Sequence, residues 1–369
     1  MMYPKKEGFM VTRDEVIEVL KHVTDPEVGR DIVEMGMVRT IEVKENEIEC
    51  EIILTTPACP AKNKIESDVK NILNQKFGEK YKINVIVGSD VRKAPDNPIY
   101  RASGARIINL DNIEKIRNII AVYSCKGGVG KTTVAVNLSI ALAKYGARVG
   151  LLDLDLHGPN VPTMLGLIGQ PKVKDLKIIP PEIYGVKVFS PGLLIDRSFP
   201  IMWRGPIQTV AVKQLFEDIL WGEIDYLVLD LPPGTGDIHI TLSQNIPISG
   251  MVMVSTPQLL AIIDTIKGVN MFEKMGVPTI GIILNMSYYL CPHCSRKIHI
   301  FPKVNIDDYS EGQKIDILGE LPLDPKIAEL SDRGIPIVIE DEENYISKLF
   351  ADISSKVASN LSTISIKKS

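Results

Sequence analysis

Cysteine is scarce in this chain of 369 residues: there are five, an odd number. That count argues against a disulfide framework and for a reducing compartment, the cytoplasm. Long apolar runs are missing as well. No stretch reaches the roughly 18 apolar residues that a membrane-spanning helix needs. The opening "MMYPKKEGFM" has no apolar core and no cleavage site of the secretory kind, so neither membrane insertion nor secretion is expected. An excess of basic charge is also lacking. Lys and Arg number 42 against 46 Asp and Glu, a net charge of −4 without the footprint of a nucleic-acid binder. No internal repeat is visible. The remainder is ordinary globular composition, 45% apolar and 24% charged, in a chain long enough for two domains.

Residues 1–92 read as a small α-β-β-α-β domain. Thr12 and Glu15 form a capping box at the start of "TRDEVIEVL". The runs "MVRTIEV" and "IECEIIL" follow; in the second, Ile48, Cys50 and Ile52 alternate with Glu49 and Glu51, as in a half-buried strand. Ile65, Val69 and Ile72 mark a helix, and "YKINVIV" closes as a strand. Residues 93–112, with two prolines and no periodicity, read as a linker. From 113 to 360, continuous apolar runs such as "NIIAVYS", "RVGLLDLD" and "DYLVLDLP" alternate with helical patterns. Strands of that kind are covered on both faces, which predicts a mostly parallel sheet between helices. Ile346, Leu349, Phe350, Ile353 and Val357 share one helical stripe, read as packing on the domain's own core, and 361–369 reads as a tail.

Gly127, Gly128 and Gly130 lie between an apolar strand and a helix-forming run, in "SCKGGVGKTT". Glycines let backbone N–H groups approach a phosphate, and the helix N-terminus adds positive potential. Lys131 is placed to reach the β- and γ-phosphates and Thr132 to ligate Mg²⁺, so Lys126, Gly127, Gly128, Val129, Gly130, Lys131, Thr132 and Thr133 form the expected nucleotide loop. The expected architecture is therefore an α/β P-loop NTPase domain preceded by a small α+β domain, and the expected activity is Mg²⁺-dependent hydrolysis of ATP. The usual pattern has glycine where this chain has Cys125, read as a small buried residue. Asp153 and Asp155 follow one strand and Asp230 another, at the carboxyl ends where ligands of parallel sheets bind. Asp230 takes the Walker B role and Asp155 that of orienting the attacking water, both toward Mg²⁺; Asp153 is expected to support Thr132. Asp237 is ambiguous.

"KGGVGKT" resembles the deviant Walker A of the MinD/ParA/nitrogenase-iron-protein class of dimeric ATPases. The resemblance implies that Lys126 reaches across a homodimer to the partner's nucleotide, and that Asn285, ending "GIILN", reads adenine.

Cys291-Pro-His-Cys294 directly follows an apolar strand and supplies only two thiolates. A redox dithiol normally opens a helix in a thioredoxin-like domain, which this pair does not. A zinc knuckle would recruit His293 or His299. An iron–sulfur site would take its other two thiolates from a second copy across a twofold axis. "DLDLHGPNVPTMLG", "MWRGP", "LPPGTGD", "NMSYYLCPHC" and "GELPLDPKIAELSDRGIP" resemble the Mrp/ApbC family of iron–sulfur carrier ATPases, and "TTPACP" with "DPEVGRDIVEMGMV" is similar to the MIP-type assembly module. That resemblance implies a labile [4Fe–4S] cluster held by Cys291 and Cys294 of both subunits and handed to apo iron–sulfur proteins, with Cys59 a candidate transient ligand. It implies no role for His157. His22 and His239 read as surface or satisfied loop residues, and Cys50 as core. The rival reading is a MinD- or ParA-like positioning ATPase with a structural zinc at the CxxC pair.

Overall fold

The computed structural model describes residues 11–26, 28–93, 113–194, 205–234, 236–302, 304–310 and 314–367; the side chains of 205–210, 237 and 365–367 lie outside that description. The Asp237 side chain, residues 94–112 of the expected linker, and Met202, Trp203 and Arg204 of "MWRGP" are therefore outside it. The chain divides into two compact units, Met1–Val91 and Arg92–Ser369.

In the first unit, Thr12 caps α1 (Arg13–Leu20): its hydroxyl accepts from the Glu15 N–H at 3.3 Å, and its own N–H donates to the Glu15 carboxylate at 2.8 Å. β1 (Val38–Val43) and β2 (Glu47–Leu54) pair antiparallel, and β3 (Lys82–Ser89) lies parallel to β2. The alternation in β2 holds, with Ile48, Cys50, Ile52 and Leu54 buried; burial pushes the Cys50 thiol up to about 12. α2 (Lys62–Phe77) connects β2 to β3 and buries Ile65, Val69 and Leu73. Leu73 replaces the expected Ile72, because steps of four from Ile65 stay on the inner face.

The second unit begins with β4 (Ile116–Tyr123), α3 (Lys131–Lys144), β5 (Val149–Asp153) and the short α4 (Val161–Met164). A separate antiparallel hairpin, β6 (Lys172–Lys174) and β7 (Lys177–Ile179), precedes β8 (Glu182–Ile183) and β9 (Val186–Phe189). Then come α5 (Gly205–Asp218), β10 (Ile224–Asp230), α6 (Asp237–Asn245), β11 (Gly250–Ser255), α7 (Leu259–Lys274) and β12 (Thr279–Leu290). β13 (Lys297–Ile298), β14 (Ile317–Pro322), α8 (Pro325–Asp332), α9 (Ile337–Glu340) and α10 (Tyr345–Lys367) complete it. The sheet runs β13-β12-β11-β4-β10-β5-β9-β8, with β14 also on β12. Every pairing among β14, β12, β11, β4, β10, β5 and β9 is parallel, and every residue of β5, β10 and β11 is buried.

The chain leaves β4 through α3 and returns as β5, one strand away, with β10 filling the gap between them. Register then puts Asp230 opposite Val122 on one side and Asp153 on the other. α10 runs through most of the expected tail: Phe350, Ile353, Val357 and Leu361 are buried, so the apolar stripe continues one turn further than the five residues singled out above. Among the described residues no helix is long and apolar enough to cross a membrane.

The N-terminal edges of β5 and β10 are joined by charge. Asp225 accepts from the Arg148 N–H at 2.9 Å and from its guanidinium at 2.9 and 3.1 Å. Burial alone would raise the Asp225 carboxyl; the Arg148 bonds outweigh it and hold the group below the usual carboxylate range. Arg148→Met is expected to cost about 1–3 kcal/mol at neutral pH, the range for hydrogen bonds to a charged group. A carboxylate with a depressed folded pKa stabilises above its unfolded value, near 3.9, and loses that contribution as pH falls through the folded value. Urea unfolding of both proteins from neutral pH downward checks this: the difference should shrink only in strong acid.

Candidate functional site

The loop after β4 turns on two glycines in the left-handed region, Gly128 at φ +79° and Gly130 at φ +86°, which L side chains rarely adopt. A Cβ on Gly130 would also lie 2.2 Å from the Asn285 amide nitrogen. Position 125 needs no left-handed backbone, so a cysteine is accommodated. Its thiol donates to the Asp264 carbonyl at 3.0 Å and lies beneath Gly268 of α7, where a Cβ would come within 2.6 Å of the sulfur. Burial pushes that thiol up; Cys125 is packed against α7 but half-buried rather than fully buried as expected. Tyr123 fastens the loop to the segment after β10, donating from its hydroxyl to the Gly234 carbonyl at 2.6 Å.

α3 starts at Lys131, whose ammonium is 6% exposed and in contact with the fully buried Asp230. Thr132 donates to the other Asp230 oxygen at 2.7 Å. Burial lifts the Asp230 carboxyl, and Lys131 and Thr132 oppose that lift. Asp153, also fully buried, is pushed up by burial and then by Asp230. It does not brace Thr132 as expected. It accepts instead from the Ser190 hydroxyl at 2.8 Å and the Asp155 N–H at 3.1 Å, because β9 brings Ser190 to the tip of β5. Asp153 thereby sets the path of the chain into Asp155.

These groups border a cavity of about 530 Å³ lined by Lys126, Lys131, Thr132, Asp155, Asn285 and Leu323 among others. Thr132 and Asp155 bring a hydroxyl and a carboxylate to its lining, hard oxygen donors of the kind that suit Mg²⁺. Lys126 lies at the rim, half-exposed, 3.3 Å from the Asp264 carboxylate. Asn285 reaches the cavity wall with its amide committed to the loop: it donates to the Val129 carbonyl at 2.9 Å and accepts from the Met286 N–H at 3.0 Å. His239 is a correction. It is fully buried rather than superficial, edge-on to Tyr123 at 4.8 Å, and burial lowers its pKa to about 4. Its spacing with Leu242 on α6 and Ile246 at the C-cap, both buried, was the available signal. His22 is exposed, and so is His157, which carries an interaction of its own.

Cys291 and Cys294 occupy the turn between β12 and β13, where the Cys291 N–H donates to the Arg296 carbonyl at 3.0 Å and the Ser295 N–H to the Cys291 carbonyl at 2.8 Å. Backbone N–H groups of His293 and Cys294 lower the Cys291 thiol, and the Cys294 thiol adds to this. Cys291 is half-buried and Cys294 exposed. This is a hairpin turn rather than a helix start, which disfavours the redox-dithiol reading. Among the described residues, no three His, Cys, Asp or Glu side chains gather as a metal-binding group, so the single-chain zinc knuckle is not assembled. The ring of His299 faces Tyr288 instead, at 6.2 Å. Cys59 is half-buried in the turn before α2.

Residues 115–358 match the model of the NUBPL iron-transfer P-loop NTPase family, and residues 13–85 that of the iron–sulfur cluster assembly protein family. The chain belongs to the NUBPL iron-transfer P-loop NTPase family. An iron–sulfur cluster carrier protein of Synechocystis sp. is 38% identical over 361 residues, 96% of this chain and 99% of the relative. A protein of that description from Pyrococcus furiosus is 46% identical over 257 residues, 66% of this chain and 87% of its own. A solved nucleotide-binding protein of Archaeoglobus fulgidus in complex with ADP superposes with a TM-score of 0.56 at 35% identity, covering 65% of this chain and 94% of that one. The family's P-loop NTPase fold, a mainly parallel sheet between helices, is the fold described above, with the small first unit ahead of it.

The packing of Cys125 under Gly268 generates a prediction. Gly268→Ala should lower stability by about 1–2 kcal/mol, overpacking outweighing the gain in helix propensity. Cys125→Gly in the same chain should recover part of the loss. Urea unfolding of the two variants and their double checks it, and an unchanged or more stable Gly268→Ala protein would contradict the packing.

Proposed function

We propose that the chain is an ATP-dependent iron–sulfur cluster carrier that works as a homodimer. The observation that carries this reading is the ligand-presenting turn with two thiolates and no third metal-binding side chain gathered beside it among the described residues. A [4Fe–4S] cluster takes four thiolates, so two copies meeting at this turn complete one site. The cluster is the cargo, and apo iron–sulfur proteins are its recipients. The relatives' names support the role, and the match of the first unit to an assembly family agrees with it. Cys59, on that unit, is the candidate for a transient thiolate during hand-over. Five free cysteines suit a reducing compartment such as the cytoplasm.

In this reading ATP occupies the cavity beside the glycine loop. The loop N–H groups and Lys131 bind the β- and γ-phosphates, and Thr133 extends the helix N-terminus below them. Thr132, Asp230 and Asp155 would hold Mg²⁺, which neutralises charge on the phosphates when bound. On ATP binding, Lys131 exchanges Asp230 for phosphate. Asp155, fixed through Asp153, orients the attacking water. Asn285 lies where the adenine end is read, and Lys126 leaves Asp264 to stabilise transition-state charge on the partner's nucleotide. A partitioning ATPase with a structural zinc is the weaker reading, since the described residues gather no zinc ligand set.

Two measurements test this. Iron and zinc analysis of anaerobically reconstituted protein should give about four Fe per dimer. Cys291→Ser with Cys294→Ser should lose the iron while ATP binding persists; zinc held within a monomer would overturn the cargo assignment. Separately, Lys126→Ala should cut hydrolysis by about 10³-fold or more while nucleotide affinity stays near wild type, as for loss of a finger charge. Unaltered turnover would remove Lys126 from catalysis.

A further inference from the structure

β12 touches both functional regions. Asn285 and Met286 line the nucleotide cavity, and Cys291 follows the last residue of the strand. The strand is continuous but irregular between them. Met286 has φ +56°, a left-handed backbone uncommon for a residue with a side chain, and the register with β14 shifts between Leu284 and Tyr288. Strain of this kind persists only where the surroundings hold it, and here it separates a cavity wall from a ligand turn.

Tyr288 sits at the end of the register shift, 1% exposed. Its carbonyl accepts from the Leu323 N–H at 2.7 Å, and Leu323, just past β14, also lines the cavity. Its ring carries the Lys297 ammonium at 4.4 Å from the centroid. Lys297 is the residue of β13 that pairs with Leu290, so it belongs to the hairpin that presents both cysteines. The Tyr288 hydroxyl lies 2.8 Å from that of Tyr345, the first residue of α10, and Lys297 also faces the Tyr345 ring at 5.9 Å. One buried side chain thus meets the cavity wall through its backbone and the cysteine hairpin through its ring, while its hydroxyl rests on the core helix.

We propose that Tyr288 is a positioning residue that transmits occupancy of the nucleotide cavity to the Cys291–Cys294 hairpin, with Lys297 as its contact on the hairpin. This rests on the nucleotide reading of the cavity. Nucleotide in contact with Met286 and Leu323 shifts the backbone on both sides of Tyr288, and the packed ring moves the ammonium stacked on it. A ligand biases such an element only through contacts that differ between its two positions, and the strained Met286 is where they differ. The geometry of the two thiolates then depends on which nucleotide is bound, which gives hydrolysis a route to loading or release.

The test uses the full chain without cluster, so it is independent of the cargo. Calorimetry measures binding of ADP and of a non-hydrolysable ATP analogue, and hydrogen–deuterium exchange follows the amides of 291–298 with and without each. In the wild type, nucleotide should change exchange of the hairpin by about threefold or more, a local shift in opening. Lys297→Met, at an exposed position, should keep nucleotide affinity within about twofold yet lose that response, the signature of lost coupling rather than lost binding. Tyr288→Phe retains the ring and the Leu323 bond and should retain the response. A purely structural Lys297 would leave the nucleotide dependence intact, and that result overturns the proposal. So does a wild-type hairpin that ignores bound nucleotide, with the nucleotide reading left standing; failure of both nucleotides to bind removes the two together.

Discussion

Everything in the second unit is arranged around one buried carboxylate. Asp230 ends the central strand of the sheet without solvent, and it is compensated by a single ammonium and a single hydroxyl. A buried charge of that kind is costly unless paired and hydrogen-bonded, so Lys131 and Thr132 are held against it. The parallel register makes the arrangement possible, since three strand tips arrive side by side only because the chain skips a position after β4. Asp153 next to it brings a second carboxyl that the same burial lifts, so the cluster holds more acid than base. In the proposed reading, phosphate would draw away the lysine and Mg²⁺ would take its place beside the carboxylates. The free site is therefore complementary to a metal–nucleotide pair rather than to either alone.

The cysteine turn follows a different economy. Its two sulfurs are presented by a short hairpin at the edge of the sheet, one of them exposed, with N–H groups aimed to favour thiolate. A resident structural metal is normally enclosed by four ligands of one chain. In the proposed homodimer the site would be divided between copies, open until they associate and open again when they part, a property that suits a carrier.

Much of this was legible from residue order, and the pattern of success is physical. The glycine loop is read easily because its chemistry lies in one contiguous string, and the roles of Gly128 and Gly130 follow from backbone alone. The strand-end carboxylates were visible as residue types at apolar run ends. Their partners were not: Ser190 reaches Asp153 from β9, and Asp264 and Gly268 close over Cys125 from α7, meetings that tertiary packing alone creates. Ile72 and Leu73 both fall within the apolar stripe that starts at Ile65, and only packing shows that Leu73 is the one fully buried. His239 looked polar and hence superficial, although its helix turns it inward between Tyr123 and Phe272. Tyr288 lies inside "NMSYYLCPHC", yet nothing in that string assigns it a role, since the proposed role lies in what surrounds it.

The tether between Lys126 and Asp264 has a consequence of its own. Both side chains are more than a third open to water, and an ion pair so placed contributes little to stability and weakens as salt rises. It nevertheless narrows the volume that a long, floppy ammonium explores, keeping it at the mouth of the cavity without anchoring it. In the proposed homodimer, a second subunit would recruit this cation against little opposing free energy, because the leash that holds it is loose.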